Sequence, residues 1–79
     1  MDLKRFRGSM TLVRMVKSNM EDIIAMYGYV TVADYYDIIG YASVYTDNKN
    51  GWVSLEKAEI AITDDPYIFE LILPKPLPI

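Results

Sequence analysis

The chain has no cysteine and no histidine. Their absence excludes disulfides, thiol nucleophiles, histidine bases, and zinc or iron–sulfur centres that need these ligands. The sequence also contains no glycine-rich nucleotide-binding motif and no base for a serine or threonine nucleophile. It has no apolar run long enough to span a membrane and no leader-like segment. We therefore expect a soluble, intracellular protein that is not an enzyme and that uses no metal or cofactor.

The chain is also short, with only 79 residues. A single domain near this size buries about 60% of its unfolded surface and is only marginally stable by itself. With disulfides and the usual structural metals excluded, oligomerisation is the remaining source of stability, and a hydrophobic content of 52% favours it. We therefore predict one domain that forms a homo-oligomer.

Positive charge is scarce beyond residue 17. Residues 1–17 carry five cations against Asp2, a net charge of +4, and the remainder carries three lysines against ten carboxylates, a net charge of −7. A basic arm on an acidic body can bind nucleic acid, an acidic partner or the body itself, and we favour a solvated terminus. The candidate phosphate contacts are Lys4, Arg5, Arg7, Arg14 and Lys17.

We predict two regions, a basic N-terminal arm at residues 1–10 and a single α+β domain at residues 11–79. Gly8-Ser9-Met10 resembles a cloning junction before a native start. On this interpretation, part of the arm is foreign to the natural protein.

Apolar residues at helical spacing predict a first helix over residues 11–27, ended by Gly28. Ser18-Asn19-Met20-Glu21 fits a capping box and offers an alternative start. A second helix is predicted over residues 32–39, with Thr31 as its N-cap, Asp34 in its first turn and Gly40 at its end.

The pattern changes to a period of two near residue 57, which predicts a β-hairpin. Residues 57–63 and 67–73 form its strands, Asp64-Asp65-Pro66 forms the turn, and Glu70 lies on the face opposite the apolar residues. Prolines at positions 74, 76 and 78 predict an extended tail that lacks backbone donors at alternate residues, so it can lie along a sheet edge but not inside a sheet.

Residues 45–59, YTDNKNGWVSLEKAE, resemble a calcium-binding loop. Aligning Gly51 with the glycine of such loops puts Thr46 and Lys57 where the two most important acidic ligands belong. We therefore expect a polar turn without metal, in which Asn50-Gly51 reverses the chain and Trp52 folds back onto the core.

Six of the seven tyrosines lie between positions 27 and 45. Aromatic side chains that stack on bases usually alternate with arginine or lysine, and none stands between Lys17 and Lys49. We therefore favour packing in the core and contact with another protein, since tyrosine joins a large apolar area to a polar tip. The candidate protein interface comprises Tyr29, Tyr35, Tyr36, Tyr41 and Tyr45.

The predicted fold class is α+β, with two helices followed by a C-terminal antiparallel β-hairpin in a winged-helix-like order. A winged-helix reader needs a recognition helix that can approach phosphate, but the second helix carries Asp34 and Asp37 and no cation. We therefore do not expect this helix to bind DNA. The predicted core comprises Tyr27, Val32, Tyr35, Tyr36, Ile39, Trp52, Ile60, Ile62, Phe69 and Leu71.

The stretches YGYVTVADYYDIIG, YTDNKNGW and LPKPLPI together resemble a domain of small uncharacterised proteins from phages, prophages and integrative elements of Gram-positive bacteria. The resemblance covers residues 18–79. Asn50 stands where that family commonly has a residue such as tyrosine, and the hairpin lacks the family's arginine-rich start. The resemblance implies a phage-type accessory protein, in the cytoplasm of a bacterial host cell or associated with a virion.

These observations predict a non-catalytic module for protein–protein interaction or self-assembly, whose partner is itself, a virion protein or a host protein. The alternative is a nucleic-acid-binding protein that uses the basic arm. Salt separates the two, because phosphate binding weakens steeply with ionic strength and an apolar interface does not.

Overall fold

The computed structural model describes residues 2–79, which form two α-helices, six short strands and one 3₁₀ helix. The helices are α1 (Met10–Tyr27) and α2 (Val32–Ile39), and the 3₁₀ helix, η1, is Tyr45–Lys49. The strands are β1 (Phe6–Gly8), β2 (Val30–Thr31), β3 (Asn50–Trp52), β4 (Glu59–Ile62), β5 (Phe69–Ile72) and β6 (Leu77–Pro78). They form two antiparallel sheets, with the orders β1-β5-β4 and β2-β3-β6.

Helix α1 begins after Ser9, whose side chain accepts a hydrogen bond from the Leu12 amide at 3.2 Å. It ends at Gly28, which has a φ of +86° in the left-handed region that glycine adopts most easily. The predicted helix is confirmed, and the alternative start at Ser18 is wrong because the helix is continuous through that residue. The fully or almost fully buried side chains of α1 are Val13, Val16 and Met20.

Helix α2 has the capping that the sequence predicts. The Thr31 hydroxyl accepts a hydrogen bond from the Asp34 amide at 2.9 Å, and the Asp34 carboxylate accepts one from the Thr31 amide at 3.0 Å. This reciprocal pair satisfies two donors at the start of the helix. Gly40, again with a φ of +86°, ends it.

The first sheet brings together segments from both ends of the chain. β4 and β5 form the predicted hairpin, with Ile60 opposite Leu71 and Ile62 opposite Phe69. β1 pairs with the other edge of β5. The sequence predicts no strand in the N-terminal segment, because three residues are too few to show a period of two.

The second sheet holds the C-terminal tail against β3. β6 pairs with β3 on the side opposite β2, and the Ile79 amide donates a hydrogen bond to the Lys49 carbonyl at 3.0 Å. The Trp52 indole N–H donates to the Pro74 carbonyl at 2.7 Å. The tail is extended, and β6 is an edge strand of this sheet, the position that the prolines allow.

The positions of the strands along the chain correct the predicted order of elements. The small α+β class with two helices and antiparallel sheets is confirmed. Strands, however, precede α1, separate the helices and follow α2, so they are not confined to a C-terminal hairpin. The winged-helix-like order is therefore not confirmed.

The segment that resembles a calcium loop is a 3₁₀ helix leading into a strand. Asp47 is buried, and its carboxylate accepts a hydrogen bond from the Val44 amide at 2.8 Å. Asn50 and Gly51 belong to β3 and do not reverse the chain, which corrects that part of the prediction. Trp52 is buried, as predicted.

The core lies where α1 and α2 meet the two sheets. Of the predicted core residues, Val32, Tyr35, Tyr36, Trp52 and Leu71 are buried, and Ile39, Ile60 and Phe69 are partly buried against them. The predicted core omits five residues that are also buried in this cluster: Val13, Val16, Met20, Val30 and Leu55.

Two predicted core residues are at the surface. Tyr27 is 66% exposed and Ile62 is 84% exposed. Tyr27 is the last residue of α1, and Ile62 is the last residue of a strand at the edge of its sheet. Both residues keep the periodicity of a core residue, but each lies at the end of its own helix or strand.

Gly51 is required because β2 and β3 approach closely at this residue. A Cβ at position 51 would overlap the Val30 carbonyl oxygen and lie 2.8 Å from the Thr31 Cα. We expect Gly51→Ala to lower the free energy of unfolding by about 3 kcal/mol, since both neighbours are backbone atoms that cannot rotate away. Urea denaturation followed by the fluorescence of Trp52, the one tryptophan of the chain, measures this loss.

Gly40→Ala is the control for that prediction. Nothing lies within 4 Å of a Cβ at position 40, so only the positive φ opposes the substitution. We expect a loss of about 1 kcal/mol. Equal losses for the two variants would contradict the steric role assigned to the close approach of β2 and β3 at Gly51, which does not have a positive φ.

Candidate functional site

The structure divides the five candidate interface tyrosines between the core and the surface. Tyr35 is fully buried and Tyr36 is 5% exposed. Tyr29, Tyr41 and Tyr45 are 45%, 49% and 74% exposed. Only these last three are accessible to another protein in this fold.

The two buried tyrosines connect α2 to the N-terminal segment. The Tyr35 hydroxyl donates to the Lys4 carbonyl at 2.7 Å, and the Lys4 amide donates to the Tyr36 hydroxyl at 3.1 Å. The Tyr35 and Trp52 rings meet edge to face, with centroids 6.1 Å apart. Burial raises the pKa of the Tyr35 hydroxyl well above its usual range, and the neighbouring tyrosine hydroxyls and Glu70 raise it further.

The raised pKa of Tyr35 predicts a loss of stability at alkaline pH. Above about pH 10 the tyrosine ionises in the unfolded chain but stays protonated in the folded chain. Its contribution is therefore complete below that pH and is lost as the pH rises further. We expect Tyr35→Phe to reduce this alkaline loss, and to cost about 1 kcal/mol at neutral pH because the Lys4 carbonyl loses its donor. Urea denaturation at a series of pH values checks both effects.

Tyr67→Phe is the matched control, since Tyr67 is 80% exposed. It is expected to keep the alkaline loss of the unchanged protein and its stability at neutral pH. If Tyr35→Phe and Tyr67→Phe gave the same pH profile, burial of Tyr35 would not be the cause of the alkaline loss.

The candidate phosphate contacts are partly neutralised by carboxylates. Arg7 Nε lies 2.6 Å from one Glu70 oxygen, and Arg5 Nη1 lies 3.6 Å from the other. Lys17 pairs with a carboxylate one turn further along α1, at 3.6 Å. Arg14 is exposed on the same helix, and Lys4 is exposed on the N-terminal segment that α2 holds through its backbone.

Glu70 is 5% exposed although it lies on the outer face of its sheet. β5 is the central strand, so Glu70 has β1 on one side and β4 on the other, with Arg7 and Ala61 opposite it. The sequence places Glu70 on this face correctly. It does not reveal the burial, because Arg7 comes from a strand that the sequence does not predict.

The two arginines are expected to contribute unequally to stability. We expect Arg7→Ala to cost about 1–2 kcal/mol, since it removes a short charged hydrogen bond from an almost buried carboxylate. Arg5 is the matched control, because its side chain is 74% exposed and its contact is longer, 3.6 Å. Arg5→Ala is expected to cost less than about 0.5 kcal/mol. Thermal or urea denaturation measures both, and equal costs would refute the role assigned to the shorter contact.

An apolar groove of about 440 Å³ lies between β3 and the C-terminal tail. Val53 and Leu77, both on its wall, are 67% and 62% exposed. The sequence gives no sign of this groove, because its walls come from segments about twenty residues apart in the chain. Its other apolar lining residues are Trp52, Pro74, Pro78 and Ile79.

The exposed candidate tyrosines do not line one common groove. Tyr29 shares a groove of about 530 Å³ with Tyr27. The Tyr41 ring lies 6.2 Å from that of Tyr36, and the Lys49 ammonium lies 4.7 Å from the centre of the Tyr45 ring. The Tyr45 ring is thus already in a cation–π contact within the chain.

The hairpin carries the most exposed large apolar side chains of the described residues. Ile62 is 84% exposed and Tyr67 is 80% exposed. The sheet order β1-β5-β4 leaves β4 at an edge, so one side of its backbone has no neighbouring strand. Such an edge can accept a further strand.

Within residues 2–79, no group of three or more acidic side chains is placed to hold a metal ion. No helix in this part of the chain is both long and apolar enough to cross a membrane. No family model, curated protein or solved structure matches the chain.

Proposed function

We propose that this protein is a non-catalytic, phage-type accessory protein that acts as a module for protein–protein interaction or self-assembly. The observation that carries the proposal is the amount of apolar surface that folding leaves exposed. Fourteen large hydrophobic side chains are exposed in the described part of the chain. Scattered apolar residues are normal on a surface, but the hairpin and the C-terminal groove each present more than one.

The total accessible surface supports the same proposal. It is 5420 Å², whereas a folded monomer of 9.1 kDa is expected to expose about 4,900 Å². The difference, about 500 Å², is of the order of the surface that one partner contributes to a standard interface, about 800 Å². Burial between chains would also stabilise a domain that has no disulfide.

The phage-type part of the proposal is supported by the three stretches that resemble the phage and prophage domain. In this fold the first stretch contains β2 and the capped helix α2, the second contains η1 and β3, and the third contains β6. The three stretches therefore cover one sheet, β2-β3-β6, and the helix that follows its first strand. Such a protein would act in the cytoplasm of a bacterial host cell or in a virion.

The alternative, binding of nucleic acid by the basic N-terminal segment, has less support. Arg5 and Arg7 lie against Glu70, and Lys17 lies against Glu21. To bind a phosphate, these cations would share or leave carboxylates that already contact them. Arg14 and Lys4 have no carboxylate contact among the described ion pairs, and two cations give only a weak electrostatic site.

Light scattering on a sizing column, with nuclease-treated protein at several concentrations, tests the proposal. Each sample is run at low and high salt, with and without short duplex and single-stranded DNA. We expect a species heavier than the 9.1 kDa chain, and we expect neither salt nor DNA to change its mass. Formation of an apolar interface releases no condensed counterions, so it lacks the steep salt dependence of phosphate binding.

A monomer whose elution shifts with DNA only at low salt would contradict the proposal and support the alternative. In that case Lys4→Ala combined with Arg14→Ala is expected to reduce the shift, because these cations are not engaged by carboxylates. A species whose mass does not change when DNA is added would support the interaction module over nucleic-acid binding.

A further inference from the structure

Four strand edges lie open in the two sheets, and three of them carry a feature that discourages pairing with another chain. β6 contains Pro78, which has no amide donor, and β2 has two residues and runs directly into α2. β1 is three residues long with an arginine at its centre. Natural edges are protected by such features.

β4 is the exception. Its sequence is Glu59-Ile60-Ala61-Ile62, without proline, and its one charged residue, Glu59, stands at one end of the strand and not at its centre. It is as long as β5, and its last residue, Ile62, is 84% exposed. A second strand placed along β4 would pair its free backbone groups and cover Ile62 at the same time.

A second copy of the chain can supply that strand. A twofold axis perpendicular to the sheet can relate two identical antiparallel edges, and it keeps the core faces of the two sheets on one side. The axis then lies midway between the two copies of one residue, which stand directly opposite each other. An axis at Glu59 would place two carboxylates directly opposite each other, which leaves axes at Ile60, Ala61 and Ile62. The apolar pairs that form within the strands distinguish these three registers.

An axis at Ile62 overlaps the two β4 strands at one residue only, and an axis at Ile60 places Ile62 beyond the strand of the second copy, opposite Ala58. An axis at Ala61 places Ile62 opposite Ile60 of the second copy, so two apolar pairs form within the strands. It also leaves Glu59, the one charged residue of β4, opposite an uncharged threonine.

We propose that two copies of this protein pair antiparallel through β4, with the twofold axis at Ala61, to form a continuous six-stranded sheet. The inference rests on the self-assembly function proposed above and names its partner and contact. On the core face, the row Phe6, Leu71 and Ile60 continues into Ile62 of the second copy. On the outer face, two small Ala61 side chains meet at the axis beside the buried carboxylate of each Glu70.

Cross-linking through Ala61→Cys tests the register, since the natural chain has no cysteine to interfere. Residues directly opposite in an antiparallel pair have Cα atoms about 4.5–5.5 Å apart, within the range of about 4.4–6.8 Å that a disulfide needs. We expect mild oxidation with oxidised glutathione to convert most of the variant into a covalent dimer. Gel electrophoresis without reductant measures the yield.

Glu59→Cys is the matched control, on the same strand and the same face. In the proposed register the two copies of residue 59 lie on opposite sides of the axis, four residues apart along the strands, or about 14 Å. They are too far apart for a disulfide. We expect little covalent dimer from this variant under conditions that cross-link Ala61→Cys.

A second pair of variants tests the edge without a covalent bond. Ile62→Lys places a charge on the edge strand beside Ile60 of the second copy, and we expect it to weaken the dimer at least about tenfold. Tyr67→Lys changes a side chain of similar exposure outside the strand and is expected to leave the dimer intact. Sedimentation or light scattering over a dilution series measures both.

The outcomes separate this inference from the broader proposal. A dimer by light scattering that cross-links no better through position 61 than through position 59 overturns the β4 contact but leaves self-assembly standing. A protein that stays monomeric at every concentration overturns the β4 contact. If that monomer also binds DNA at low salt only, the proposed function fails as well.

Discussion

The burial of Tyr35 holds four parts of the chain together. Its ring packs against the edge of Trp52, and its hydroxyl is bonded to the Lys4 carbonyl. Trp52 in turn donates its indole N–H to the Pro74 carbonyl. One aromatic pair therefore links the N-terminal segment, helix α2, strand β3 and the C-terminal tail. Each of the two aromatic side chains buries a large apolar area and still satisfies its single polar donor, so the junction carries no unpaired group.

This junction explains why the two small sheets behave as one domain. β1 begins two residues after Lys4, and β6 begins three residues after Pro74. Each sheet has only three strands of two to four residues, so each depends on packing its apolar face against the helices. The outer face of the first sheet is completed by arginines of the same N-terminal segment, which cover Glu70. The aromatic pair holds the N-terminal segment on the core side of the sheet, and these ion pairs hold it on the outer face.

The parts that the sequence predicted are those with a local signal. The capping of α2 depends on Thr31 and Asp34, the end of α1 depends on Gly28, and the hairpin depends on alternation over residues 57–73. Each of these signals lies within a few neighbouring residues. β1 and β2 were missed because two or three residues show no period, and their pairing depends on segments distant in the chain.

The surface could be predicted less well for the same reason. The sequence places Tyr35 and Tyr36 both in the core and in the candidate interface, but the structure buries these two tyrosines of α2. The candidate tyrosines that lie outside the α-helices stay exposed: Tyr29, Tyr41 and Tyr45. Ile62 has the alternation of a core residue, and only the sheet order shows that it lies at an open edge. The apolar groove beside the tail likewise depends on the packing of β6 against β3, which no local pattern encodes.

The pairing of β1 with β5 also has a consequence for how the protein is made. Arg7 and Glu70 are 63 residues apart in the chain, yet they lie on neighbouring strands of one sheet. During synthesis β1 is made before β5, and it has no strand to pair with until β5 has been synthesised. Helices α1 and α2 have local hydrogen bonds and can form earlier, but the first sheet closes only after β5 has emerged. Until then β1 stays open to chaperones and proteases.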